Sequence, residues 1–553
     1  MKTLVLDIET NLAHDRIWLV VITDLDTGET QCHRNYSKAL RATIQGADTI
    51  IGHNLISFDA PVLRRCWNIG IRPAQATDTL VMSRLLNPSI EGGHSLKAWG
   101  ERLNDSKIDF QVEDFDAGWT QEMEDYCIQD VALTARLYEH LVNEFDKWRN
   151  NGEKALQIEH DIQVICSRME KKGFKLDTDK AVDFEAQLTR EMDDIEASLQ
   201  EVFPPLVEQR WSAKTNKRLK DKIHVFNPAS RKQIADRLQG LGVKFTKKTE
   251  KGNIIIDDAV LNTIDLPEAK LLARYFLLQK RQGLVASWLK AEKNGRVHGR
   301  VITNGAVTGR MTHQSPNMAQ IPSVKSEYGD VCRGMWTVEE GRRLVGADLS
   351  GIELRCLAHY MQDPDYTNEL LDGDIHTKNQ QAAGLPTRDN AKTFIYATLY
   401  GAGPAKIGSI VGGGASEGQK LLDNFFKNVP KLGKLVEKVK RLFHKDGYIT
   451  GLDSRALHVR SDHSALNTLL QSCGAIIAKQ WCIEVDREIK LRRLDAHLVA
   501  FVHDELQYDC SAKDAEEVGQ ICVDSAVKAG KILEFRVPVG AEYAVGRSWL
   551  DTH

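Results

Sequence analysis

The chain is 553 residues long, 42% hydrophobic and 27% charged, with a formal net charge of −4. That length holds roughly two to four domains with sizeable cores, and the slightly acidic balance excludes a general basic coat, so any nucleic-acid contact must use local patches. Ten cysteines are scattered without a Cys-x-x-Cys pair, no apolar run is long enough to span a membrane, and Met1 leads straight into a strand; a reduced, cytoplasmic setting is expected, without disulfides, zinc or membrane contact.

Residues 1 to about 145 alternate strand and helix signals, an α/β pattern. In the first strand Leu4, Leu6 and Ile8 share one face, and Asp7 and Glu9 share the other. From about residue 153 the pattern turns helical. Ile158, Ile162, Ile165 and Met169 recur at helical spacing, with Gly173 as the stop. A second long helix carries Phe184, Leu188, Met192, Ile195 and Leu199 and ends before Pro204-Pro205. Then comes a basic stretch, Arg210, Lys214, Lys217, Arg218, Lys220 and Lys222, opposed only by Asp221. By charge alone it is a solvated loop; between long helices it could also grip a phosphate backbone. Strands return near 297–303 and 343–348, helices dominate about 361–445, and a strand–turn–strand spans His497 to Tyr508.

Two sets of carboxylates stand on this frame. The first is Asp7-Ile8-Glu9, then Asp59 closing Gly52-His53-Asn54-Leu55-Ile56-Ser57-Phe58-Asp59, then Tyr126 and Asp130, which i, i+4 spacing puts on one helix face. Each acid alone is a weak signal, because acids at strand ends and helix starts are common. Four acids and a tyrosine in this order suit two divalent ions about 4 Å apart, where water is activated against a phosphodiester and the tyrosine orients it. These five residues resemble the three exonuclease motifs of the DEDD nucleases, in the tyrosine-bearing branch. The resemblance implies an RNase H-like 3′→5′ exonuclease, with Asp7, Glu9, Asp59 and Asp130 as metal ligands and Tyr126 as a catalytic residue.

The second set lies in the later half. Asp348 ends the strand Leu344-Val345-Gly346-Ala347, and Asp504 sits at a strand turn beside Glu505. Between them, after Pro386-Thr387, comes a helix with Arg388, Lys392, Tyr396 and Tyr400 at every fourth position. The stripe places two cations in the first turns, where the helix dipole already favours anions. A Lys/Arg–Tyr stripe is more often a solvated face. Two aspartates able to hold divalent ions beneath a triphosphate change that balance.

Thr308-Gly309-Arg310, Ser315-Pro316-Asn317, Asp348-Leu349-Ser350-Gly351-Ile352-Glu353, Asp374-Ile375-His376, the helix from Arg388 to Gly401, Asn467 to Gln471 and His503-Asp504-Glu505 together resemble the family A DNA polymerases, in the branch of replicative polymerases of short-tailed coliphages. The resemblance implies an α/β multi-domain chain: an exonuclease domain over 1–145, then a right-hand polymerase over 146–553. The thumb would occupy about 150–295, the palm about 296–360 and 450–553, and the fingers about 361–449. It implies that Asp348, the Leu349 carbonyl and Asp504 bind two Mg²⁺ ions, with Mn²⁺ able to substitute. Arg388, Lys392 and His376 would contact the incoming dNTP. Tyr396 and Glu353 would sit by its sugar, and Tyr400 would stack near the templating base. Arg310, Asn467, Gln471, His503 and Glu505 would contact primer–template DNA. His313 and His553 match family positions without an assigned chemistry. The implied role is template-directed DNA synthesis with proofreading in phage genome replication, in the bacterial host cytoplasm, beside a phage helicase-primase and a single-strand DNA-binding protein.

Two departures from the branch stand out. The chain opens on the proofreading motif, so no 5′-nuclease domain is expected. In addition, about two dozen residues separate Phe203 from Phe226-Asn227-Pro228, where the coliphage type carries a large thumb insertion that docks thioredoxin; thioredoxin binding is therefore not expected. A single-subunit RNA polymerase would share the core but not the exonuclease motifs or Glu353. A catalytically dead DNA-binding scaffold would not retain all six acids.

Overall fold

The computed structural model describes residues 2–105, 116–249 and 251–553. Its first part is built on five strands, β1 Thr3–Thr10, β2 Ile17–Asp24, β3 Thr30–His33, β4 Thr49–Gly52 and β5 Ala76–Asp78. They form one mixed sheet in the order β3-β2-β1-β4-β5, with β1 antiparallel to β2 and parallel to β4. Leu4, Leu6 and Ile8 enter the core on one face. Val5 meets Cys127 and Val131 on the other, so both faces of β1 are covered. The helices that matter for the site are α1 Asp59–Trp67, α2 Thr79–Leu86 and α3 Gln121–Phe145. Thr120 caps α3 by accepting from the Met123 amide.

The two long helices expected next are α4 Glu153–Lys172 and α5 Thr178–Val202. Gly173 ends α4 at φ 66°, and a Cβ there would lie 2.7 Å from His298 Nδ1, so the stop needs glycine twice over. The basic stretch differs from a plain loop. β6 Leu206–Glu208 pairs antiparallel with β7 Lys222–His224, and Trp211 bridges to Arg218 above them. Val207 faces Ile223 across this ladder, and a β-branched pair favours a hairpin whatever the charge nearby. α6 Pro267–Ala291 packs along α5 over a shared apolar core.

β8 Arg300–Ile302 and β9 Thr312–Gln314 form a hairpin whose connection carries Thr308-Gly309-Arg310. β10 Arg342–Leu349 follows. Helices then fill most of the chain to residue 446, among them α7 Ile352–Met361, α8 Ile375–Ala383 and α9 Arg388–Leu399. Thr387 caps α9 by accepting from the Asn390 amide, as Pro386-Thr387 foretold. A small hairpin, β11 Ile449–Thr450 and β12 Ala456–Leu457, leads into α10 Ala465–Arg492. β13 Ala496–Val502, β14 Glu505–Ser511, α11 Ala515–Ile532 and β15 Ala541–Gly546 close the fold. The second sheet is antiparallel throughout, in the order β13-β14-β10-β15, and it sets Asp348 opposite Glu505. The largest apolar core joins this sheet to α4, α7, α9 and α10. No helix among the described residues is long and apolar enough to cross a membrane.

Candidate active sites

The first site forms where β1 faces α3. One carboxylate oxygen each of Asp7 and Glu9 and the Cys127 thiol lie within 4.8 Å of one another. Cys127 Sγ donates to Asp7 Oδ2 at 3.4 Å. Asp59 opens α1 and is buried, and one of its carboxylate oxygens has no hydrogen-bond partner. Burial, then the Asp7 charge, pushes its carboxyl well above the usual range. Like-charged acids held in a poorly solvated spot are costly until a cation offsets them, so the donor set fits divalent metal. Asp130 is buried on α3, one turn after Tyr126. Asp78 holds the loop that carries Asp59 toward the sheet: its two oxygens accept from the amides of Asn54 (2.9 Å) and Ile56 (3.0 Å). All five expected residues are therefore carried by three adjoining elements, β1, α1 and α3.

The second site forms above the antiparallel sheet. Asp348 ends β10 and Asp504 lies in the β13–β14 turn, and the Leu349 amide donates to the Asp504 carbonyl at 3.1 Å, locking the two in register. Asp348 opens on the cleft yet has protein on most sides. The desolvation this causes, then the Asp504 and Glu505 charges, pushes its carboxyl up to about 7. Asp504 is also raised, chiefly by desolvation. Two carboxylates that resist sharing negative charge fit a metal-binding pair. His503, before Asp504, takes the left-handed φ of 59° that the tight turn requires.

Glu353, in the first turn of α7, accepts from the Tyr400 hydroxyl and pairs with Arg310 Nη2 at 3.4 Å. Tyr396 is half-buried; burial, then the charges of Glu353 and Asp504, raises its phenol. Tyr396 thus lies within reach of the charges of the α7 acid and Asp504, and Arg310 and Tyr400 both engage that α7 acid. The other end of α9 is basic. Arg388 pairs with Asp374 at 2.7 Å, and the bond from Arg388 holds the Asp374 carboxyl far below the usual range. Burial, then the charges of Arg388 and Lys392, lowers His376. His376, Arg388 and Lys392 thus form one electropositive group at the α9 N-terminus.

Not every expected residue points into the cleft. Glu505 is buried and fully engaged: Trp549 Nε1 and Gln507 Nε2 (2.7 Å) donate to it, and His553 Nδ1 lies at 3.3 Å. Burial works to raise its carboxyl, but these partners outweigh it and hold the group below the usual range. Asn467 and Gln471 bond each other at 2.8 Å, one turn apart on α10. Residues assigned no role from sequence also matter. Asp374 is the partner of Arg388, and its place just before a helix start was the available signal. Lys479 sits in a long apolar run of α10, and such a charge signals a buried partner. That partner is Glu159, 2.6 Å away and also bonded by Arg455 at 2.8 Å. Cys127 and Asp78 gave no signal, because a core cysteine and a helix-capping aspartate look ordinary.

Two acid-lined sites, one on a mixed sheet and one on a four-stranded antiparallel sheet, have the donor sets of metal-dependent phosphoryl-transfer enzymes. The family model described as DNA polymerase family A matches residues 206–551, and that described as 3′-5′ exonuclease matches residues 19–146. The latter span contains Asp59, Tyr126 and Asp130, while Asp7 and Glu9 precede it. The DNA-directed DNA polymerase of Enterobacteria phage T3 is 32% identical over 703 aligned positions, covering 100% of both chains. That of Escherichia phage T7 is 33% identical, again over 100% of both. DNA polymerase I of Aquifex aeolicus is 30% identical over 98% of this chain and 95% of its own. Among solved structures, the POL domain of Pol1 from M. smegmatis, in complex with DNA primer-template and dNTP, superposes with a TM-score of 0.83 at 20% identity. It covers 99% of this chain and 95% of that one.

The chain belongs to DNA polymerase family A. It is a DNA-directed DNA polymerase with an N-terminal 3′→5′ exonuclease domain, acts on primer–template DNA and dNTPs, and has the divalent-metal dependence general to both domains.

Proposed function

We propose that Asp348 and Asp504 hold the metal ions of nucleotide addition, and that Asp7, Glu9, Asp59 and Asp130 hold those of proofreading, Mg²⁺ in both cases. The observation that carries this reading is the placement of the acids: Asp7 and Glu9 converge on one side of β1 near buried Asp59, and the Leu349 amide–Asp504 carbonyl bond holds Asp348 and Asp504 in register. At the polymerase site the ions would supply charge for phosphoryl transfer. The chain's own groups do the rest. His376, Arg388 and Lys392 bind the triphosphate, Tyr396 with Glu353 rejects a ribose, Tyr400 closes the templating side, and Arg310, Asn467, Gln471 and His503 hold the primer–template. Glu505, already saturated by Trp549, Gln507 and His553, steadies the Asp504 turn beneath the primer end. At the exonuclease site Tyr126 orients the attacking water.

We assign 1–145 to the exonuclease, about 150–295 to the thumb, about 361–449 to the fingers and the remainder to the palm. The setting is phage genome replication in the host cytoplasm, with a helicase-primase and a single-strand DNA-binding protein at the fork and without thioredoxin. The alignment with the phage T3 polymerase spans 703 positions against 553 residues here, which supports a shortened insertion.

The test is one labelled primer–template, with and without dNTPs and Mg²⁺. Asp7→Ala with Glu9→Ala should abolish primer degradation and leave extension within about twofold, since the acids stand on a separate sheet. Extension falling in step with degradation would refute two independent sites.

A further inference from the structure

α4 bonds to a loop of the N-terminal sheet domain on one side and to the β8–β9 connection on the other. Its Gln163 side chain is 6% exposed, and both ends of its amide are used. Nε2 donates to Ser57 Oγ at 2.8 Å, and Oε1 accepts from Thr303 Oγ1 at 3.0 Å. Ser57 lies two residues before Asp59, in the turn that leads into α1. Thr303 begins the β8–β9 connection that carries Arg310. One buried amide therefore ties an exonuclease loop to a primer-binding loop.

The surrounding bonds make this tie stiff. One turn earlier, His160 Nε2 accepts from the Asp78 amide at 2.9 Å, and the Asp78 carboxylate holds the Asn54 and Ile56 amides. Beside Thr303, Asn304 Nδ2 donates to the Arg84 carbonyl of α2 at 2.9 Å. On the same face of α4, one turn before Gln163, Glu159 pins the helix to Lys479 and Arg455. A Cβ on Gly309 would lie 2.7 Å from Arg455 Nη1, so the Thr308-Gly309-Arg310 turn rests directly on that pinned group.

We infer that Gln163 is a positioning residue that couples the loop bearing Asp59 to the loop bearing Arg310, and so sets how readily a duplex primer end passes from the polymerase site to the exonuclease site. This rests on the two-site reading above. A hydroxyl–amide–hydroxyl chain transmits displacement because each buried group loses its partner if one loop moves alone. The chemistry at either site does not use Gln163. Single-stranded substrate needs no transfer, so it should not sense the tie.

The test uses the full chain and compares Gln163→Leu, Ser57→Ala, Thr303→Val and the Ser57→Ala/Thr303→Val double variant. Degradation is measured on a labelled single-stranded oligonucleotide and on the same strand annealed as a mismatched primer. Single-nucleotide addition is measured in parallel. Loss of two buried hydrogen bonds predicts roughly a tenfold fall in the duplex-to-single-strand ratio for Gln163→Leu. Single-strand degradation and first-nucleotide addition should stay within about twofold. Because Ser57 and Thr303 act through one amide, the double variant should fall short of the product of the singles. An unchanged ratio in Gln163→Leu, or strict additivity of Ser57→Ala and Thr303→Val, would overturn the proposal. Equal falls on both substrates would overturn it too, reducing Gln163 to a support for Asp59. If the parent degraded neither substrate, the two-site reading would fail instead.

Discussion

At the scale of single residues the polymerase site is a balance between acids that repel and groups that relieve them. Asp348 is raised to about 7 because desolvation and two neighbouring carboxylates disfavour its charge. Asp348→Asn or Asp504→Asn should cut nucleotide addition by several orders of magnitude while DNA binding, followed by a gel-shift titration, persists. Removing a ligand costs transition-state stabilisation more than ground-state binding. Near-normal extension would remove both residues from the chemistry, and loss of DNA affinity alone would give them a structural role. Tyr396 makes a finer distinction. Its phenol lies near Glu353 and Asp504, where the substrate sugar would sit, and its hydroxyl can fill the space of an absent 3′-hydroxyl. The natural chain should accept dideoxynucleotides readily, and Tyr396→Phe should discriminate against them by roughly 1–3 kcal/mol, the range of one polar interaction. The readout is the ratio of dideoxy to deoxy incorporation at one template position; equal ratios in both proteins would sink the assignment.

At the scale of elements, what was legible followed from periodicity and capping. Gly173 after four spaced apolar residues gave α4 its end, and Thr387 gave α9 its start. The carboxylates were legible because strand alternation and i, i+4 spacing are local rules. Pairings across elements were not. The sequence carries no mark that Glu353 meets Tyr400, that Glu505 is saturated by Trp549 and His553, or that Gln163 joins two loops, since each depends on chain paths more than 40 residues apart. The β6–β7 hairpin was hidden for another reason: six cations dominated the reading, and one β-branched pair decided the structure. That hairpin exposes Trp211, Val207 and Ile223 beside its cations, with no salt-bridge partner close to most of them among the described residues. An exposed basic hairpin with an aromatic ring among its cations suits a phosphate backbone. Replacing Lys214, Lys217, Lys220 and Lys222 with alanine should shorten products in a single-encounter extension assay with a DNA trap. It should also lower the salt slope of DNA binding by about 0.9 for each phosphate that is no longer neutralised. First-nucleotide addition should be unaffected, because the α9 cations lie elsewhere. Unchanged product length would leave the hairpin a solvated feature, and lengthening by added thioredoxin would show that a docking segment survives.

At the scale of the whole molecule, groups with opposite proton linkage coexist in one fold, and metal should decide which prevails. His313 and His359 are buried, and burial, aided by His503 and Arg536 respectively, lowers each from 6.5 to about 4. His359 accepts from the Arg536 amide at 3.1 Å and stacks on Phe535, so it is held neutral. Between pH 6.5 and 4 the unfolded chain binds these protons and the native chain does not. Native stability from the histidines is therefore complete above 6.5 and is lost as pH falls through 4, by roughly 3 kcal/mol each. Asp348 has the opposite sign. Its folded value of about 7 exceeds the usual 3.8, so the native chain binds the extra proton between them and gains stability as pH falls through 7. In chelator the two effects offset, and the melting temperature should change little from pH 7.5 to 6. Divalent metal held by the ionised aspartates would stabilise the native state at neutral pH and compete with that proton. With Mg²⁺ present, melting temperature at pH 7.5 should rise and then fall more steeply on acidification. Asp348→Asn should remove most of this metal-dependent difference in slope, and His359→Gln should flatten the acid limb in both conditions. A pH dependence identical with and without Mg²⁺ would show that the raised carboxyls of the cleft are not where the metal binds.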